Sequence, residues 1–429
     1  MAREYKDSGI EWIGRIPKDW KVIPHKRLMR KIKELCPEYK GEDIISLTMN
    51  GVIVRDLNAG GKMPTTFDGY QYVHPGNLLM CLFDIDVTPR CVGLIRNEGL
   101  TSPAYSQFVL YEGVYGPYYN YLLRYMDDEK CLLHLSKNLR SSLTEDDFGQ
   151  IPTVFPSLFE QKKIADYLDE KCGEIDSLIS LQEKMITQLT DYKQSIITEA
   201  VTKGLDPNAQ LVPSGIDWIG DIPKGWKFVK IKQLINLIES GVSVNAGNVP
   251  AKADEYGVLK TSSVSKYEFI ASENKTVNEN EKSKVACPVK KGTIIVSRMN
   301  TPELVGACGF VERDYNNIFL PDRLWQVHFK NNNVVKFLWF ALRSAYIRNY
   351  YSSLSVGTSS SMQNISQDQF SNAKIILPSY DEQSELASYL VNKCAEIDAL
   401  ITLKQQKIET LKDYKKSLIY EAVTGKFEI

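Results

Sequence analysis

Residues 156–202 read PSLFEQKKIADYLDEKCGEIDSLISLQEKMITQLTDYKQSIITEAVT, and residues 378–424 read PSYDEQSELASYLVNKCAEIDALITLKQQKIETLKDYKKSLIYEAVT. At an offset of 222, 26 of 47 positions are identical without a gap, so the chain contains a two-fold internal repeat. Between Glu160 and Thr202 the sole proline or glycine is Gly173, and between Glu382 and Thr424 there is none. Both copies therefore read as long helices. Leu168, Ile175, Leu189 and Ile196 fall at one heptad position, with Leu178, Met185 and Tyr192 at its companion. The second copy places Leu390, Ile397, Leu411 and Leu418 at the first position, and Leu400 and Tyr414 at the companion. Gln182 and Lys404 interrupt the seam at one slot and Lys407 its companion, where polar residues fix register at some cost in stability. Cys172 and Cys394 occupy matched positions and read as small packing residues.

A second marker precedes each helix. SGIEWIGRIPKDWK starts at Ser8 and SGIDWIGDIPKGWK at Ser214, with 11 of 14 positions identical at an offset of 206. Trp12, Trp20, Trp218 and Trp226 read as clamps onto a domain or a helix end, with Pro17 and Pro223 fixing the turn. The layout is residues 1–155 as a first variable domain, 156–206 as a helix, 207–377 as a second domain with its lead-in, and 378–429 as a second helix. Within the domains, IISLTM, NLLMCLF, SQFVLY, TIIVSRM and LWQVHF read as strands. YYNYLLRYMDDEKCLLHLS and VVKFLWFALRSAYIRNYY each read as one helix. HPGNLLM matches KKGTIIV in place, which predicts one fold for both domains. The expected class is α+β: two mixed α/β domains separated by two long helices in an antiparallel coiled coil. Antiparallel pairing hides both apolar stripes and puts one domain at each end, related by an approximate two-fold axis. A helix of ~43 residues spans ~64 Å, an upper limit on the distance between domain centres.

Bulk properties bound the function. At 429 residues, with 43% hydrophobic and 24% charged residues, the chain suits two or three domains. No apolar run approaches the ~18 residues of a membrane span, and the charged N-terminus lacks a secretion signal. Eight cysteines without a C-x-x-C pair suggest reduced thiols and a cytoplasmic location. Net charge is −1, yet residues 228–377 carry 18 basic against 12 acidic residues and residues 22–155 carry 14 against 16. Any DNA binding must then rest on local patches. Phosphate-binding loops G-x-x-x-x-G-K-[ST] and G-x-G-x-x-G are absent, as is H-E-x-x-H; His25, His74, His134 and His328 stand apart. No Pro-Pro pair offers the base-gripping loop of an adenine methyltransferase. Catalysis by this chain is not expected, and no metal site is suggested.

The SGIEWIGRIPKDW phrase, the P-x-x-x-E-Q start of each long helix and the DYK-x-S-x-I-x-EAVT ending resemble the DNA specificity subunit of type I restriction–modification enzymes. The resemblance covers the full length, in the expected order and copy number. It implies that each variable domain is a target recognition domain reading one half of a split double-stranded DNA sequence. It also implies docking of two methyltransferase subunits on the long helices, with a restriction subunit joining the assembly. S-adenosylmethionine, ATP and Mg then belong to those partners, and this chain holds no cofactor. The alternatives are a protein–protein scaffold and an enzyme of unrecognised type.

Base edges are read by Arg, Lys, Asn, Gln, Ser and Thr. In the first domain the candidates are Thr48, Asn50, Arg55, Arg90, Lys137, Asn138, Arg140 and Ser141. In the second they are Lys260, Thr261, Ser262, Arg298, Asn300, Ser360 and Gln363. Each competes with the reading that it is an ordinary solvated residue. For partner docking, exposed helix faces are expected to present Glu160, Gln161, Asp191, Lys193 and Glu199, with Glu382, Gln383, Asp413, Lys415 and Glu421 as their counterparts. These residues alternatively cap the helices and pair within them.

Overall fold

The computed structural model describes residues 3–58, 64–88, 90–135, 141–216, 219–359 and 362–427. Lys137, Asn138, Arg140, Trp218 and Ser360 lie outside the described residues. Two compact units form, Met1–Glu183 with Gln405–Ile429, and Lys184–Lys404. Each unit thus owns one variable domain and part of both long helices, where the sequence boundaries had set the helices apart as separate segments.

In the first unit the central sheet runs Met29–Ile32, Ser106–Leu110, Leu78–Met80, Val92–Leu94, antiparallel throughout. Leu78, Leu79 and Met80 are all buried, as expected of an inner strand covered on both faces. In the second unit the order Ile235–Ser240, Leu324–Phe329, Ile294–Ser297, Cys308–Phe310 repeats that topology. The hydrogen-bond skeleton repeats as well. The buried Gln107 accepts from the backbone N–H of His74 at 2.8 Å, and the buried Gln326 accepts from that of Lys290 at 2.8 Å. Lys21–Pro24 pairs with Pro152–Phe155 in one unit, and Lys227–Lys230 with Lys374–Leu377 in the other. The second unit adds a four-stranded sheet in which Gly257–Leu259 runs parallel to Tyr315–Phe319.

The helix expected after each sheet is broken in two. Gly116–Asp128 gives way to Cys131–Leu135 at Lys130, which adopts φ +56°. Val335–Arg343 gives way to Ala345–Leu354 at Ser344, whose ψ of 147° is extended and whose hydroxyl bonds to the Ala341 carbonyl. Periodicity alone did not register a single-residue change of direction.

The long helices are Leu158–Lys203, 46 residues, and Tyr380–Val423, 44 residues. Within the first unit they run antiparallel, since Asp176 pairs with Lys415 while Tyr167 stacks on Phe427. Ile164, Leu168, Cys172 and Ile175 share one core with Leu418, Ala422 and Val423. Within the second unit Ile196, Ala200 and Val201 share a core with Leu386, Leu390, Cys394 and Ile397. These are the same heptad contacts with the helices' roles exchanged.

The seam corrects the expected one. Leu168, Ile175 and Ile196 are buried as expected, and so are Leu390, Ile397 and Leu418. The companion position is instead taken by Cys172 and Ile179 in the first helix and by Cys394 and Ile401 in the second. Leu178, Tyr192, Leu400 and Tyr414 are 44%, 53%, 47% and 57% exposed. A heptad has two apolar positions beside any chosen one, and spacing does not say which faces the partner helix. Gln182 is buried at the seam, as its slot implied. Both helix thiols are buried and titrate above the usual range because burial disfavours the thiolate. No helix among the described residues is long and apolar enough to cross a membrane.

Candidate nucleic-acid interface and docking faces

The tryptophan markers close each unit. Helical Val423 is followed by Gly425 at φ +71°, the left-handed cap that ends many helices. Pro17 and Trp20 lie so close that a Cβ on Gly425 would sit 2.6 Å from the proline ring. Trp226 covers Gly204 in the same manner, at 3.3 Å. The indole N–H of Trp20 donates to Glu160 at 3.1 Å, and that of Trp226 to Glu382 at 3.2 Å. Glu160 is also bonded by Arg3, Ser157 and its own cap backbone. Burial alone would raise the Glu160 carboxyl, but these donors outweigh it and hold it below the usual range.

Several residues assigned to an exposed docking face are instead committed within their own unit, although Glu382 itself remains exposed. Glu160 and Glu382 are the anchors of the tryptophans. Gln161 is fully buried, accepting from the Tyr115 N–H and donating to the Gly113 and Pro156 carbonyls; Gln383 is buried against the Pro378 carbonyl. Lys193 pairs with Asp398 at 2.6 Å and Glu268 at 3.2 Å, and Lys415 with Asp176 at 2.6 Å. Repetition of these groups reflects a repeated helix-to-helix tie. Asp191, Glu199, Asp413 and Glu421 do remain exposed. What sequence reasoning missed is apolar: Leu178, Leu181 and Tyr414 in the first unit, and Leu400, Leu403 and Tyr192 in the second, are all exposed. Each residue recurs at the 222 offset, which was the available signal.

In the first unit Thr48, Asn50 and Arg55 sit on or beside the hairpin Ile45–Thr48/Gly51–Val54. Thr48 closes the turn, its hydroxyl donating to the Gly51 carbonyl and accepting the Asn50 N–H. Asn50 stands exposed at the tip beside Met49, while Arg55 is half-buried. The hairpin presses on the sheet, since a Cβ on Gly93 would lie 2.6 Å from Val52. Arg90 corrects the reading as an available reader. Its guanidinium is 6% exposed, bonded to Asp127 at 3.3 Å and Asp128 at 2.8 Å, and Asp127 also accepts the Cys91 N–H. Asp127 and Asp128, the last two residues of the following helix, hold this arginine inside. Ser141 adopts φ +45° and its carbonyl accepts the Ile85 N–H.

In the second unit Lys260 and Ser262 converge on Glu273, at 3.7 and 2.6 Å, and Thr261 accepts a bond from Ser265 through its carbonyl. Two other clusters, far apart in sequence, meet. Met299–Asn300 pairs with Met362–Asn364, and Val356–Ser359 completes a three-stranded sheet in which Asn300 faces Gln363. Asn300 is committed to its turn, donating to Ser297 and accepting the Thr301 N–H. Arg298 lies over the buried Trp325 ring at 5.9 Å. Among the described residues no cluster of three or more His, Cys, Asp or Glu side chains is arranged to hold a metal ion.

Residues 223–413 match the family model for the type I restriction modification DNA specificity domain. The type I restriction enzyme MjaVIII specificity subunit of Methanocaldococcus jannaschii is 29% identical over 287 residues, 66% of this chain and 63% of that relative. The EcoEI specificity subunit of Escherichia coli is 23% identical over 265 residues, 58% of this chain and 44% of that relative. The chain thus spans less than two thirds of the length of these two relatives. A putative MjaX specificity subunit of Methanocaldococcus jannaschii is 25% identical over 456 residues, covering 100% of this chain and 99% of that one. A solved structure, described as the basis of complex assembly and conformational transition of the type I R-M system, shares the fold with a TM-score of 0.67 at 14% identity. That match covers 96% of this chain and 99% of the other.

Proposed function

We propose that the chain is a member of the type I restriction–modification DNA specificity family and the non-catalytic, sequence-reading subunit of such a complex. Each unit reads one half of an asymmetric, bipartite double-stranded DNA target. The two long helices set the unread spacer and dock two copies of a methyltransferase subunit, one through the exposed Leu178, Leu181 and Tyr414 and the other through the exposed Leu400, Leu403 and Tyr192. Apolar and aromatic groups of this kind suit the core of a protein interface. A restriction subunit joins through the assembly, S-adenosylmethionine, ATP and Mg reside on those partners, and the complex works in the cytoplasm.

The observation that carries this reading is one skeleton with two surfaces. The Leu143 N–H bonds the Leu82 carbonyl in the first unit, and the Ile365 N–H bonds the Arg298 carbonyl in the second. The backbone is conserved while a buried leucine is exchanged for an arginine, as two readers of different half-sites require. The test is to map methylated adenines in cells expressing this chain with its partners. Two fixed base clusters separated by a constant unread gap are expected; a contiguous or absent target would overturn the proposal. The net charge of −1 favours a scaffold that touches no DNA, and failure of the purified assembly to retain any duplex would support it.

A further inference from the structure

A cavity of about 530 Å³ opens in the second unit between the three-stranded sheet and the strand that carries Trp325. Its polar lining is Ser240, Arg298, Asn364, Ser366, Gln367 and Gln369, and no carboxylate contributes. Two of these groups are incomplete. Arg298 Nε and Asn364 Oδ1 are both buried without a hydrogen-bond partner. Among the described residues no carboxylate lies within ion-pair distance of Arg298. Buried polar atoms are nearly always satisfied, so a donor and an acceptor left unpaired on two residues that line one cavity point to a ligand that would complete them once their side chains turn towards it. That ligand presents an acceptor beside a donor.

We infer that this cavity takes the major-groove edge of a G·C base pair, with Arg298 as the specificity-determining residue of the half-site read by the second unit. Guanine offers N7 and O6 to an arginine, the commonest specific contact between protein and DNA. The N4 amine of the paired cytosine supplies the donor that Asn364 Oδ1 lacks. A phosphate would satisfy the arginine and leave Asn364 unpaired, since it has acceptors only. Trp325 forms the floor beneath Arg298 and restricts where the guanidinium points. Among the described residues of the first unit there is no such device. Leu82 stands in the place of Arg298, and Ser106, beside the shared glutamine Gln107, stands in the place of Trp325. The inference rests on the DNA-reading role proposed above and narrows it to one base pair of one half-site.

The experiment is selection from duplexes randomised across both half-sites, using the full chain assembled with its modification partner. Wild type is compared with Arg298→Ala, Arg298→Lys and Asn364→Asp; the last supplies a carboxylate that occupies Arg298 without emptying the cavity. Each variant is expected to relax preference for G·C at one position of one half-site, roughly 10- to 100-fold, with the other half-site unchanged. A uniform loss across all sequences with a shallower salt dependence would make Arg298 a phosphate contact and overturn the inference. Unchanged preference at every position would overturn it as well. Should Arg298→Ala fail to fold, Arg298→Lys and Asn364→Asp decide between the same outcomes. A wild-type pool showing no enrichment would sink the DNA-reading role itself, and the cavity's assignment with it.

Discussion

Substituting Arg90 by alanine separates a structural arginine from a DNA reader. Arg90 and Asp127 are 6% and 2% exposed, so the pair lies in the interior, whereas Asp128 is 43% exposed and keeps its water. Removing the guanidinium strands the Asp127 carboxylate, a loss of about 3–5 kcal/mol for a broken buried pair. The contact to Asp128 adds at most about 1 kcal/mol. For a denaturant slope of about 2–3 kcal/mol/M in urea, the unfolding midpoint of the first unit should fall by roughly 1–3 M. Hydrogen exchange read by mass spectrometry assigns that transition to residues 64–128 and leaves the second unit as an internal reference. Asp127→Asn in the same background should recover most of the loss. The charge is then gone, while the amide oxygen still accepts the Cys91 N–H, which Asp127 holds at 2.9 Å. An Arg90→Ala chain that keeps its midpoint and loses recognition of one half-site would refute this reasoning and make Arg90 a reader.

Burial holds the His25 imidazole down at about 4 against an ordinary 6.5, so the folded state stays neutral where the unfolded state takes a proton. The stability it contributes is complete above pH 6.5 and is lost as pH falls towards 4, up to about 3 kcal/mol; His25→Gln should flatten this part of a pH series of unfolding midpoints. Trp226→Phe removes the donor to Glu382 and should cost the second unit about 1–3 kcal/mol in urea unfolding, with the first unit unaffected. Leu178→Glu and Leu400→Glu should each reduce partner stoichiometry from two to one by native mass spectrometry, and together to none, without shifting melting temperature. Equal seven-residue insertions at matched positions of both long helices should lengthen the unread spacer in a methylation map by about three base pairs, one heptad spanning ~10.5 Å, and leave the half-site bases alone.

The coarse architecture was legible because repetition and periodicity are local in sequence. Two helical copies, two lead-in markers and the strands IISLTM, SQFVLY and LWQVHF all lie where their patterns put them. The side of a helix that faces its partner was not legible. Leu178 and Leu168 are equally apolar, and the partner's position selects between them only in three dimensions. Charge told least about place. Lys193, Lys415, Arg90 and Lys260 all have the chemistry of nucleic-acid or protein contacts, and each is held by a carboxylate distant in sequence: Asp398, Asp176, Asp127 and Glu273. A long flexible cation is assigned a role by its partner, and a single sequence does not list partners.

Duplication also explains which residues had to stay the same. A copied module keeps its fold only if the groups that satisfy its own backbone are copied too. Gln107 and Gln326 bond equivalent backbone N–H groups, Glu160 and Glu382 hold equivalent indoles, and the Lys415–Asp176 pair is repeated as Lys193–Asp398. Loss of either buried glutamine is costly, because its backbone partner would be left unsatisfied, whereas Asp176 and Asp398, 60% and 44% exposed, keep water as an alternative. Leu82 and Arg298 share a backbone bond made by the carbonyl, which any side chain permits. Divergence is therefore free where the shared bond is made by the backbone and forbidden where the side chain completes the frame. In such a duplicated protein, the positions that differ between copies while their backbone bonds coincide are where a difference in recognition has to reside.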